Sequence, residues 1–272
     1  MKSKWFASPY IVWMVLFILI PLGACAYFAF TDIHTGRFTL DNIKAIGAYL
    51  PTFVDSLWLA AISAVICLVL GYPVAYAIAN AKPSRQRFMI LLVMLPMCMS
   101  FLLRTMALVA ILEDTGLLNQ LFQALGFGPV TLMRTPAAVV LGMVYNYLPY
   151  MILPLYSVLV KINPSVIEAA QDLGCSSGKV LTRVMLPLSL PGIVSGVTMV
   201  FVPAVSTFYI SKKLGGTGTA MIGDIIESQF KTTYNINVGA AMSLCLMVII
   251  FICMGIMNQF DDGENVGGGM IL

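Results

Sequence analysis

Residues 161–190, KINPSVIEAAQDLGCSSGKVLTRVMLPLSL, stand between two strongly apolar stretches and carry a dense set of helix start and stop signals. A connection of that length without structure is uncommon, so the segment reads as folded. Asn163 has the side chain to cap a helix whose first turn begins at Pro164, where a missing amide proton costs nothing. That helix, 164–173, ends at Gly174, a residue suited to a left-handed cap. Ser176 or Ser177 then caps a second helix that runs to Met185 or Leu186 and is stopped by Pro187. Val180, Leu181, Val184 and Met185 form an apolar stripe, while Lys179 and Arg183 share another face four residues apart. Both helices are too short to stand alone. The pair reads as an amphipathic helix–turn–helix, supported from beneath and presenting a knob to a partner.

What supports it is legible on either side. Of 272 residues, 60% are hydrophobic and only 10% charged, with a mean hydropathy of +0.93. A soluble domain is nearer half apolar and a quarter charged. This composition excludes a cytosolic enzyme, a nucleic-acid binder and a disordered regulator. Six stretches reach the roughly 20 apolar residues that a membrane crossing needs: 10–30, 56–79, 88–112, 136–160, 191–210 and 236–257. None alternates as a barrel strand does, and backbone groups in lipid must be satisfied internally, so the spans are expected as helices. The fold class is an all-α polytopic membrane protein, six transmembrane helices with a helix–turn–helix loop at 161–190.

Lysine and arginine set the orientation. With the amino terminus inside, Lys2, Lys4, Lys82, Arg85, Arg87, Lys161, Lys179 and Arg183 are cytoplasmic. Arg37, Lys44, Arg134, Lys212, Lys213 and Lys231 are then outside, and Arg104 falls within the third span. The bias is modest, and the cluster from Lys82 to Arg87 pins it best; both termini are expected in the cytoplasm. The start of the chain imitates a signal peptide, but hydrophobicity continues through Phe30 and five more spans follow, so it reads as an uncleaved first span.

No chemistry of bond making emerges. The six cysteines lie in spans or, for Cys175, in the 161–190 loop, which argues against a structural disulfide. His34 is the one histidine and reads as a solvated loop residue, so neither a metal nor a cofactor is expected. The run from Gly174 to Val180 imitates a phosphate-binding loop but has three residues between its glycines where four are needed. Val180 also stands where a magnesium-ligating hydroxyl would be required.

The 161–190 segment resembles the EAA signature of permease subunits in bacterial ABC importers. It has Glu168-Ala169-Ala170, then Gly174 after three residues, then Val184 and Leu186-Pro187, with Val184 where isoleucine is usual. The resemblance implies the type I importer permease fold and an ATPase-coupling role for Glu168, Ala169, Ala170, Gly174, Val184, Leu186 and Pro187. It also implies partners: a second permease subunit, two copies of a cytoplasmic ATPase and an extracytoplasmic solute-binding protein. The implied division is an N-terminal segment with the first span and outer loop over 1–52, the transmembrane domain over 53–258, and a cytoplasmic tail over 259–272. A finer resemblance, from about residue 10 to 258, is to the B-type permease of spermidine/putrescine importers. It rests on Leu70-Gly71-Tyr72-Pro73, Leu102-Leu103-Arg104-Thr105, the run from Pro149 to Tyr156, the run from Phe208 to Ser211, Gly215-Gly216 and Met221-Ile222-Gly223. Lys212-Lys213 departs from what a polycation route would favour.

For a polycation, acids and aromatic faces are the expected contacts. The substrate-pathway candidates are Asp55, Asp224 and Glu227, with Tyr145, Tyr147 and Tyr150 in span four. Arg104 either snorkels outward, or pairs with Glu113, Asp114 or Asp55, or faces the pore at the outer gate. Gly192 and Gly196 suit span five for close packing on a neighbour. The alternatives are the same importer class with iron, thiamine, sulfate or a phosphonate as cargo, or a secondary transporter driven by an ion gradient.

Overall fold

A computed structural model describes residues 8–32, 35–216 and 218–262. Lys2, Lys4, His34 and the last ten residues of the expected tail lie outside the described residues. Among the described residues four helices are long and apolar enough to cross a membrane: Pro9–Ala29, Asp41–Ala79, Pro136–Leu159 and Ile236–Met257. Two bent pairs complete the set, Pro83–Cys98 with Phe101–Ala124 at 90° and Ser177–Leu188 with Leu190–Val205 at 70°.

Span four is the axis of the bundle. In its most apolar stretch 67% of residues are buried, against 0% for the first span. Small residues explain how span two reaches it. Ala60, Ala64, Cys67, Gly71 and Ala75 recur three or four apart and are buried, a stripe that lets two backbones approach. Gly71 faces Met151 and Ile152, and the Cys67 thiol reaches the Val144 carbonyl at 3.9 Å. Span five seats on the same helix through Gly192, over Pro154 and Val158, and Gly196, over Met151. The first span lies against span six, where the Cys25 thiol meets the Ala240 carbonyl at 3.6 Å.

Four expectations are corrected. Span three is not continuous: Leu95–Cys98 tightens into a 3₁₀ turn around Pro96, Met99 and Ser100 are extended, and Phe101–Leu112 starts anew. Proline removes a helical donor, but both halves are apolar, so hydropathy runs straight through the bend. Span five ends at Val205, two residues after Pro203, and a short helix Tyr209–Leu214 follows. In the 161–190 segment the second helix runs past Pro187 to Leu188 through a π-helical turn, Leu181–Met185. The wider turn leaves room for the proline ring, and the true stop is Ser189. Span two also begins earlier than hydropathy suggests, at Leu50.

Candidate functional site: the coupling loop and the helix breaks

The first helix of the loop is Pro164–Asp172. The Asn163 side chain accepts the Ser165 amide proton at 3.1 Å, and Pro164 opens the first turn. At the other end Gly174 has φ +83°, the Cys175 amide donates to the Ala170 carbonyl at 3.1 Å, and the Gly174 amide to Gln171 at 2.8 Å. This pair of bonds is a Schellman closure, which requires the left-handed residue that glycine supplies. Ser176 takes the cap position of the next helix, but its side chain makes no capping bond.

Glu168, Ala169, Gly174 and Pro187 are exposed, while Ala170, Val184 and Leu186 are half-buried. Of the expected apolar stripe, Val180 and Met185 are buried and Leu181 is exposed. They roof a cavity of about 320 Å³ over Tyr72, Pro73 and Tyr76 of span two. Leu173, at 86% exposure, is the most prominent apolar side chain of the loop, and stripe counting missed it. Its one sequence signal is its place directly before the capping glycine. At the stop, the Ser189 hydroxyl donates to the Leu186 carbonyl at 3.1 Å, which leaves Tyr72 to donate to Ser189, also at 3.1 Å. Span two is thus tied to the joint between the loop and span five.

The two long breaks meet around a group of rings. Phe101, first residue after the break in span three, lies 6.5 Å from the Tyr147 ring and 6.2 Å from Tyr209, first residue after the break in span five. Tyr150 is 6.4 Å from Tyr147, and the Tyr147 hydroxyl donates to the Pro203 carbonyl at 3.3 Å. Tyr147 is buried, whereas Tyr145 is 43% exposed and turns away from the group. Phe101 and Tyr209 were not among the sequence candidates; their signal was a proline five or six residues upstream, Pro96 and Pro203.

Arg104 neither snorkels nor forms an ion pair. It is 4% exposed, its Nε and Nη1 are enclosed without an acceptor, and among the described residues no salt bridge joins it to Glu113, Asp114 or Asp55. The bend in span three turns the Arg104–Thr105 face onto span four, where Asn146 Nδ2 reaches the Thr105 hydroxyl at 3.4 Å. Asn146 is itself fully buried, and among the described residues its Oδ1 meets no donor. The other cation near the rings, Lys213, stands 6.0 Å above Tyr209.

The acids lie elsewhere, at the end of the bundle opposite the loop. Asp55 is exposed there. Asp224 and Glu227 belong to the helix Ile222–Lys231 and line one cavity of about 640 Å³ with Tyr49, Ser211, Lys212 and Gln229. Asp224 Oδ2 accepts the Met221 amide proton at 3.0 Å, and its Oδ1 is enclosed with no donor in hydrogen-bonding geometry among the described residues. Burial pushes the Asp224 carboxyl above the usual carboxylate range, against the pull of Ser211, the Met221 amide and Lys212. Glu227 is held by Lys231 at 2.8 Å and Lys212 at 3.1 Å, and these ammonium groups keep its carboxyl below its usual range. The helix Tyr209–Leu214 links this cavity to the rings, since it carries Tyr209 at one end and Ser211 and Lys212 beyond it.

A bundle with an exposed helix–turn–helix at one end and two broken helices around its central span is the transmembrane part of a solute permease. The chain belongs to the family described as binding-protein-dependent transport system inner membrane component, whose model matches residues 68–264. It is 35% identical over 247 residues to the spermidine/putrescine transport system permease protein PotB of Salmonella typhimurium (strain SL1344), covering 88% of this chain and 86% of the relative. It is 32% identical over 249 residues to PotB of Haemophilus influenzae, covering 88% and 86%. The inner membrane ABC transporter permease protein YdcU of Escherichia coli (strain K12) is 27% identical over 260 residues, covering 90% and 83%. Among solved structures, a bacterial ABC transporter that imports the acidic polysaccharide alginate matches 97% of both chains with a TM-score of 0.80 at 16% identity. The MetNI methionine ABC transporter in an inward-facing form matches 79% of this chain and 95% of that one, at 0.60 and 16%. The protein is therefore a multi-pass inner-membrane permease subunit of an ABC importer, and its ATPase is a separate chain.

Proposed function

We propose that the chain forms one half of the translocation pathway of an ATP-driven importer of polyamines. The observation that carries the cargo is the likeness, over 88% of the chain, to permeases named for spermidine and putrescine. The ring group at the helix breaks adds the chemistry, since aromatic faces hold ammonium groups and the methylene runs between them. A second permease subunit completes the pathway, two copies of an ATPase bind the 161–190 loop, and a solute-binding protein delivers cargo at the opposite end. The loop end and both termini are cytoplasmic. In this reading residues 1–52 are a peripheral first span with its outer loop, 53–258 the transport domain, and 259–272 a tail.

Glu168 and the small Ala169 and Ala170 seat the first loop helix in a groove of the ATPase, Leu173 fills its apolar floor, and Gly174 sets the angle to the second helix. Val184, Leu186 and Pro187 carry the displacement to Ser189, where Tyr72 passes it to span two. The reading is tested with the assembled importer in vesicles, following labelled putrescine and spermidine with iron, thiamine, sulfate and phosphonate as competitors. ATP-dependent polyamine uptake that is lost in Glu168→Lys and Gly174→Asp, together with ATPase association, is the expected result. Uptake that survives ATP depletion and collapses with an ionophore would point to the ion-driven alternative.

A further inference from the structure

We propose that Lys212 determines specificity by acting as a tethered competitor: its ammonium occupies the place on Glu227, at the wall of the outer cavity, where one ammonium group of the cargo is received. The inference rests on the polyamine reading above. It resolves the presence of a lysine pair beside a polycation route, which sequence alone left as a contradiction.

Glu227 is a fixed anion with two mobile cations. Its side chain is 14% exposed, whereas Lys212 is 60% and Lys231 is 72% exposed. Lys231 follows Glu227 by one helical turn and holds Oε1, so Oε2 is left to Lys212, which arrives from another helix. An ion pair with an exposed cation contributes little to stability. Lys212 is therefore displaceable without disturbing the fold, and its own helix is anchored by the buried Ile210, Ser211 and Leu214.

The cavity beside the pair is built for a second ammonium. Ser211, Ser228, Gln229 and the Tyr49 ring line it, and the Asp224 carboxylate stands on its wall, its Oδ2 held by the Met221 amide. A monoamine would exchange one ammonium for another and gain nothing, because the tethered lysine competes at an effective concentration of about millimolar. A diamine that displaces Lys212 from Glu227 brings a second charge to Asp224, and its methylene run lies along Tyr49. Two groups acting together overcome the tether; one does not. Lys213, over the Tyr209 ring, faces a different group and has no part in this.

The test uses the purified importer complex without its binding protein, titrated with putrescine or butylamine and followed by melting temperature. In the native complex putrescine stabilises and butylamine does not. In Lys212→Gln both stabilise, and the half-saturating putrescine concentration falls roughly threefold, about what one exposed ion pair allows. Lys212→Arg behaves as native. If Lys212→Gln keeps the native putrescine midpoint and still ignores butylamine, the role of Lys212 is wrong although the importer carries polyamines. A native importer that takes up neither putrescine nor spermidine removes the polyamine reading and this one with it.

Discussion

The Ser56 hydroxyl of span two accepts the amide proton of Ile222, 166 residues further on, at 2.8 Å, and both residues are fully buried. Ile222 opens the helix that carries Asp224 and Glu227, so one of that helix's free donors is satisfied by a span rather than by its own cap. The acids of the outer cavity are therefore positioned by the transport core. Ser56→Ala leaves a buried donor without a partner, which costs about 1–3 kcal/mol. A fall in melting temperature of several degrees in the purified complex is expected, and an unchanged temperature would show that another acceptor takes over.

Gly223 and Gly142 both stand against neighbours, yet they differ in what an added methyl group would meet. At Gly223 it would lie 2.6 Å from the Thr207 carbonyl and 2.8 Å from that of Ser206, backbone atoms at the break in span five. At Gly142 the near atoms, at 2.4 and 2.8 Å, are the Cδ1 methyl of Leu214 and the Cγ2 methyl of Ile210, side-chain atoms rather than backbone. Overpacking costs about 1–3 kcal/mol where side chains yield, and more where only backbone is available. Gly223→Ala is expected to abolish stable assembly, while Gly142→Ala assembles with a modestly lowered melting temperature. Equal behaviour of the two in size-exclusion and melting assays would remove the argument.

How much of this was legible beforehand depends on which force set each feature. The loop at 161–190 was readable because its signals are local: Asn163 and Pro164 at one end and Gly174 at the other act through bonds within a few residues. The spans were readable as apolar length. The breaks at residues 99–100 and 206–208 were not, because hydropathy measures composition and the chain is equally apolar on both sides of each bend. With the bends missed, Phe101 and Tyr209 had no reason to be grouped with Tyr147, and nothing separated the three readings of Arg104: outward snorkelling, pairing with an acid, or facing the pore. Tyr145 was included on residue type alone, and helical spacing already places it off the face of Tyr147 and Tyr150.

The Asp224 carboxyl supplies a pH dependence with a definite sign. Burial holds its value above the ordinary 3.8, so the folded state keeps this proton to higher pH than the unfolded chain does. The resulting stabilisation is fully present below 3.8 and is lost as pH rises through the raised folded value. Glu227 has the opposite sign, since its lowered carboxyl stabilises above the ordinary 4.5 and is lost as pH falls, but its exposed lysines keep that contribution small. Asp224→Asn retains an oxygen for the Met221 amide and removes the titration. Against the native complex, the variant's advantage in melting temperature grows with rising pH across the window above 3.8. A difference that is flat with pH, or grows in the other direction, contradicts the assignment.

Among the described residues Arg104 is a charge enclosed without a counter-ion. An enclosed ion lacking a partner destabilises, and apolar replacement of buried charges is often neutral or stabilising by about 1–4 kcal/mol. Arg104→Met preserves the length of the side chain and fits the apolar surroundings of Phe101–Leu112. Its melting temperature is expected to equal or exceed that of the native complex, while Arg104→Glu, which leaves the same place charged, melts lower. Uptake separates stability from transport. If the arginine serves the pathway beside Tyr147, Arg104→Met loses transport while gaining stability, the trade expected where a strained group is retained for function. A several-degree loss of melting temperature in Arg104→Met would instead mean that the guanidinium has a stabilising partner in the assembled importer.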